Sequence, residues 1–337
     1  MTQYLLKITI FLILAIVVVL VALIALYWAP DRTVTELKRW QLPNSEFIDI
    51  QGTQAHVTQS GICHANRRTA SIDAGADNSP DTTSTSTIVL LHGTSASLHT
   101  WSGWTEALSN QYCVVSMDLP GFGLTGPYID QSIQYSSERY AEFVIQVLDR
   151  LDIDRVILAG NSLGGKIAWR TAALYPDRIE QLILVDSVGY PAVPKHIPIG
   201  FKVAGYPAIA PILNYILPRS VVEKSVVSVY ADESKVDDDL VDRYYELTLR
   251  QGNRQALTRR LKETDSDSHQ EQIKQLDIPT LILWGAKDNL IPVENAALFH
   301  RDIRNSQLVV FDDLGHVPHE ENPIATVDVV KQFLMNE

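Results

Sequence analysis

The chain has 337 residues, 20% of them charged and 46% apolar, enough for one large domain with accessories or for two small ones. The formal net charge is −12, and because the first thirty residues hold only Lys7, the remainder carries −13. A surface this acidic repels phosphate backbones and argues against a nucleic-acid partner.

The first feature in chain order is the apolar run Ile8–Ala29, interrupted only by Thr9. It is close to the roughly 20 residues that cross a hydrocarbon core as a helix, with Tyr27 and Trp28 at its end suited to the membrane interface. The alternative is a cleaved signal peptide, but the run exceeds the usual h-region of about 7–15 residues. We expect a single-pass anchor over residues 1–30, of bacterial inner-membrane type. Its orientation is open. Arg32, Lys38 and Arg39 favour a cytoplasmic domain, whereas a short tail before one apolar segment more often exports its domain, which slightly favours the periplasm. Residues 31–45 read as a polar linker.

From residue 46 to the C-terminus the sequence predicts one α/β domain. Glu46–Ser60 suggests two strands turning at Gly52. Residues 61–86, rich in Ser, Thr, Asp, Ala and Gly, cannot bury enough apolar surface to offset chain entropy and are expected to be a disordered insert. Cys63 beside that insert and Cys113 in a later apolar run make no disulfide framework and no zinc site, and Cys113 reads as a buried core residue.

Short apolar runs follow at Ile88–Leu91, Cys113–Met117, Val156–Ala159, Leu182–Val185, Leu281–Trp284 and Leu308–Phe311. Each suits a strand covered on both faces. Amphipathic segments alternate with them. In one, Tyr140, Val144, Val147, Leu148 and Leu151 share a helical face. The alternation predicts a mostly parallel sheet. It breaks over 191–275, which reads as a helical cap above the carboxyl ends of the strands, where open α/β sheets bind ligands. Ile197, Ile199, Phe201, Val203, Tyr206, Ile209, Ile212, Leu213, Tyr215 and Ile216 make its early part apolar. These side chains could line a site or simply pack the cap onto the core.

The chemistry is concentrated at strand ends. Gly160-Asn161-Ser162-Leu163-Gly164 is G-x-S-x-G between a strand and a helix. In that context the turn is tight enough to need small residues on both sides, and it projects the Ser162 hydroxyl beside a helix N-terminus. A hydroxyl needs a base. His316, in Leu314-Gly315-His316-Val317-Pro318 after a late strand, is the candidate. Its competitor His319 lacks the adjacent glycine and reads as a surface or helix-start residue. The base needs an acid to fix its tautomer. Asp288, in Trp284-Gly285-Ala286-Lys287-Asp288, has the expected position, with Asp186 after the preceding strand as the alternative. An oxyanion would need two backbone donors, for which Leu163 N–H and Thr94 N–H are the candidates. His92 reads as a brace of the Thr94 loop, and His99 as either a pocket or a helix-start residue.

Together, His92-Gly93, Asp118-Leu119-Pro120-Gly121-Phe122-Gly123, the GNSLGG elbow, the WGAKD loop and LGHVPHEENP resemble the α/β-hydrolase superfamily from about Phe47 to the C-terminus, outside the insert. The resemblance implies an eight-stranded, mostly parallel sheet, a Ser162–Asp288–His316 triad acting through an acyl-enzyme, and no cofactor or metal. The elbow and cap are similar to bacterial esterases, family V lipases and monoacylglycerol-lipase-like enzymes, and also to carbon–carbon hydrolases of aromatic ring cleavage. With the anchor, the expected substrate is a small-molecule or lipid ester, of medium-chain acyl or monoacylglycerol type. Carbon–carbon hydrolases usually need cationic pocket groups. Lys166 and Arg170 follow the elbow, at positions expected to point away from the site. A non-catalytic binding protein on the same fold is the rival of another class, and a degenerate triad would support it.

Overall fold

The computed structural model describes residues 2–63, 86–204, 214–263 and 269–335. Most of the expected insert, 64–85, and the cap residues Tyr206, Ile209, Ile212 and Leu213 lie outside them.

Eight strands form one sheet: β1 Ser45–Ile50, β2 Thr53–Ser60, β3 Thr87–Leu91, β4 Cys113–Met117, β5 Val156–Asn161, β6 Ile179–Val185, β7 Thr280–Gly285 and β8 Ser306–Phe311. Their order is β1-β2-β4-β3-β5-β6-β7-β8. The β1–β2 and β2–β4 pairs are antiparallel and all later pairs are parallel. The β1–β2 hairpin turns through Gln51 and Gly52, both at positive φ. Strands β3 to β7 are buried along their length, apart from Glu180 near the start of β6, because helices cover both faces. Only β8 departs from that expectation: it has one neighbour and is part-exposed, as an edge strand must be.

Two apolar clusters flank the sheet. One packs α3 (Ser137–Arg150) and α4 (Leu163–Leu174) on one face, through Tyr140, Val144, Val147, Ile167 and Trp169. The other packs α2 (Ser102–Leu108) and the C-terminal helix on the opposite face, through Trp101, Trp104, Val327, Val330 and Phe333. Helix α3 starts at an N-cap, Ser136, whose side chain accepts from Arg139 N–H, and it ends on Arg150, which suits the helix dipole.

Between β6 and β7 the described chain is helical: α5 Ile199–Ala204, α6 Arg219–Val227, α7 Asp238–Thr248 and α8 Asn253–Lys262. After them come α9 Glu294–Asp302, α10 Pro318–Glu321 and α11 Pro323–Met335.

The N-terminal helix α1, Thr2–Leu26, is exposed and long and apolar enough to cross a membrane. Its exit is tied to the inserted helices. Ala29 N–H donates to Tyr215 O at 2.8 Å, Leu217 N–H donates to Tyr27 O at 3.2 Å, and Trp28 stacks on Tyr215. Residues 31–45, expected to be a linker, are a docked strap. Asp31 pairs with Arg254, Arg32 and Arg39 both pair with Glu246, and Leu37 is fully buried beside Leu124 and Leu247.

Cys63 and Cys113 form a disulfide between the end of β2 and the start of β4. This corrects the expectation that Cys63 and Cys113 make no disulfide, while Cys113 is buried in the core as expected. Both cysteines are buried, but β2 pairs directly with β4, which brings together two positions 50 residues apart.

Candidate active site

Ser162 stands alone between β5 and α4 at φ 54° and ψ −113°. That backbone is costly for a residue with a side chain, about 1–3 kcal/mol, and persists only because the surroundings over-determine it. A Cβ on Gly164 would lie 2.1 Å from Leu91 O, so the helix can start this close to β3 only with glycine there. The N terminus of α4 then follows immediately behind the hydroxyl.

His316 is buried on the loop after β8. Its Nδ1 lies 2.7 Å from Asp288 Oδ2. A carboxylate only accepts, so Nδ1 carries the hydrogen and Nε2 is left as the acceptor. Asp288 is itself fixed, because its Oδ1 accepts Leu290 N–H at 2.7 Å and Ile291 N–H at 3.0 Å. Asn161, which the sequence reading passed over, joins the elbow to this loop: its Nδ2 donates to His316 O at 3.0 Å and to Val185 O at 3.1 Å.

A cavity of about 730 Å³ opens onto these groups. Ser162, His316, Leu163 and Thr94 all line it. The loop carrying Thr94 is close to the serine: a Cβ on Gly93 would be 3.3 Å from Ser162 Cβ. The rest of the wall is mostly apolar, with Phe201, Ile216, Leu217, Val222 and Val226 from the inserted segment. Three cationic residues, Lys166, Arg254 and Arg260, also line it. Lys166, expected to point away from the site, thus contributes to the cavity wall. Arg170 does point away: it is buried against Glu138 and Gln272.

His92, His99 and His319 have structural posts. His92 Nε2 accepts Leu119 N–H at 3.0 Å and its Nδ1 donates to Gly93 O at 2.7 Å, which occupies both nitrogens, and burial lowers its basicity. His99 belongs to the short helix Leu98–Trp101 and bonds Trp40 O; burial brings its pKa down to about 4. His319 does begin a helix, α10, but it is not a surface residue. It is fully buried, its ring centroid is 3.9 Å from that of Trp101, and its Nε2 is 3.0 Å from Thr100 Oγ1.

The sequence reading also missed two acids beyond His316, Glu321 buried and Glu320 half-buried. Glu321 accepts Gly315 N–H at 2.8 Å together with Ala231 and Asp232 N–H, while His316 N–H donates to Val229 O at 2.8 Å. Glu320 holds Arg243 and Tyr244. The histidine loop is thus pinned to the inserted segment. Gly315 is required there for close approach, since a Cβ would meet Val229 O at 2.6 Å.

The alpha/beta hydrolase fold family matches residues 86–323. The chain belongs to that family. A 2-hydroxy-6-oxo-2,4-heptadienoate hydrolase of Pseudomonas putida is 30% identical over 260 residues, covering 74% of this chain and 89% of the relative. Among solved structures, a bacterial membrane phospholipase A is similar at a TM-score of 0.67 and 24% identity, covering 100% of this chain and 99% of that one. A meta-cleavage product hydrolase of Pseudomonas fluorescens is similar at a TM-score of 0.67 and 23% identity, covering 85% and 95%. Likeness at these structural identities is a likeness of fold.

Proposed function

We propose that the chain is a membrane-anchored serine hydrolase that cleaves carboxylic esters of medium-chain acyl or monoacylglycerol type. The observation that carries this reading is the large apolar cavity that ends on Ser162 and His316. In the proposed reaction, His316 Nε2 takes the Ser162 proton as Oγ attacks the ester carbonyl. The oxyanion rests on Leu163 and Thr94 N–H, Asp288 steadies the imidazolium, and His316 then protonates the leaving alcohol. Water repeats the sequence on the acyl-enzyme.

The anchor supports a lipid-derived substrate. Tyr27–Ala29 pair with Tyr215–Leu217, and Ile216 and Leu217 line the cavity, so an uncleaved α1 would hold the cavity wall at the bilayer surface. A removed leader would leave the backbone of 215–217 without these partners. The Cys63–Cys113 disulfide favours the periplasmic side, because such bonds persist in oxidising compartments.

A second reading is carbon–carbon bond hydrolysis of an acidic dienone. The Pseudomonas putida relative supports it, as do Lys166, Arg254 and Arg260 in the cavity wall. Turnover of p-nitrophenyl esters across acyl lengths, run beside a 2-hydroxy-6-oxo-dienoate, separates the two. A rise in kcat/KM toward medium chains with no dienoate cleavage is expected; dienoate cleavage with feeble ester turnover would replace the first reading by the second.

A further inference from the structure

Asp186 ends β6 and has no part in the reaction proposed above. Its side chain is fully buried, and its backbone sits at φ 43°, held by donation from Asp186 N–H to Leu283 O. Oδ1 accepts Gly285 N–H at 3.0 Å, while Oδ2 is buried and meets no donor among the described residues. One side-chain atom from each of Asp186, Asp288 and His316 lies within 4.8 Å of the other two. Two carboxylates this close in a protein interior do not both stay charged. The donors decide which one keeps a proton. Asp288 faces three, from the His316 ring and from the Leu290 and Ile291 amides, whereas Asp186 faces one.

We propose that Asp186 is held as a neutral acid whose hydroxyl donates to the Asp288 carboxylate, making it a positioning residue for the Asp288–His316 pair. The titratable groups that act on it are Asp288, His316 and Glu321. Burial and then the charges of Asp288 and Glu321 push the Asp186 carboxyl well above the ordinary carboxylate range. The donated proton fills the orphaned Oδ2 and holds the Asp288 carboxylate against rotation. Ionisation at high pH would instead set two negative charges side by side and displace Asp288 from the His316 ring.

The effect on turnover rests on the serine-hydrolase reading; the protonation state does not. The test is therefore double, on the full-length protein with Asp186→Asn, an isosteric side chain that stays neutral and can donate. In the wild type the folded state keeps a proton that the unfolded chain releases, so stability falls as pH rises past the ordinary carboxyl range. Tm of Asp186→Asn should therefore gain on wild type steadily from about pH 4 upward, until Asp186 ionises in the folded state. In turnover, the alkaline decline of wild-type kcat should be absent in Asp186→Asn. Asp186→Leu should lose about ten- to hundredfold in kcat with KM nearly unchanged, the size typical of a partner one shell out, and Asn should restore most of it. A Tm difference between wild type and Asp186→Asn that is flat with pH would overturn the neutral acid, as would an Asn variant as impaired as Leu with an unaltered alkaline limb. Probe labelling that survives Ser162→Ala would sink the hydrolase reading alone, leaving the Tm arm to decide Asp186.

Discussion

Among the described residues two serine–histidine–aspartate arrangements can be picked out, and they differ in what surrounds them. In the second, on the antiparallel side of the sheet, Ser45 Oγ lies 2.7 Å from His56 Nε2, and His56 Nδ1 lies 2.7 Å from Asp118 Oδ2. Its histidine–aspartate bond matches that of His316 and Asp288 in the proposed active site. Its surroundings do not. Ser45 sits on a regular strand, its Oγ already accepts Leu42 N–H at 2.8 Å, and it does not line the large cavity. Asp118 also accepts Leu98 and Leu124 N–H, so this constellation knots β1, β2 and the loop after β4 together. Ser162 has instead a strained turn, a helix N-terminus behind it and a 730 Å³ cavity before it. The contrast teaches that the relay is cheap to assemble; what is costly is presenting the hydroxyl to a space where a substrate fits.

Substitutions sharpen that contrast in order of size. Ser162→Ala and Asp288→Asn should each lower kcat by about 10⁴-fold or more in ester hydrolysis. Their counterpart Asp118→Asn should leave labelling by an active-site probe intact in the protein that folds, and should cost about 3 kcal/mol, as the loss of a buried charged partner does, read as a Tm drop on the order of 10 °C. Burial raises the Asp118 carboxyl, but His56 and then His92 and His99 outweigh it and bring the pKa down to about 2. Its contribution is present above the ordinary 3.8 and lost as pH falls toward 2, so an acid unfolding curve should lose part of its steepness in that interval in Asp118→Asn.

Reduction of Cys63–Cys113 comes next. It should lower stability by about 2–4 kcal/mol without altering probe labelling at low temperature, and thiol alkylation of the isolated protein should fail until a reductant is added. Ser45→Ala is the smallest change. Losing one hydrogen-bonding hydroxyl should cost about 1 kcal/mol and no activity. A large activity loss there would mean that the two constellations are not as different as their surroundings imply.

Much of this was legible along the chain because it rests on local sterics. The elbow needs small residues around Ser162, the proposed acid and base follow their strands by a few residues, and the strands declare themselves as apolar runs. What could not be read depends on which strands become neighbours and on what packs over them. The pairing of Cys63 with Cys113 follows from β2 lying beside β4. His319, Glu320 and Glu321 look like a polar helix start, yet His319 is buried against Trp101, Glu321 is buried, and Glu320 is half-buried against Arg243 and Tyr244 of the inserted segment. Residues 31–45 have linker composition, but Leu37 and the ion pairs of Asp31, Arg32 and Arg39 dock them as a strap. Asn161 was hidden inside the elbow motif as a variable position, although its amide ties the elbow to His316.

The most direct test is to react the wild-type protein with a fluorophosphonate and locate the adduct by peptide mass spectrometry. The account predicts a single modified residue, Ser162, and no labelling of Ser162→Ala. An adduct on Ser45, or a folded wild-type protein that takes no label while hydrolysing no ester, would contradict it.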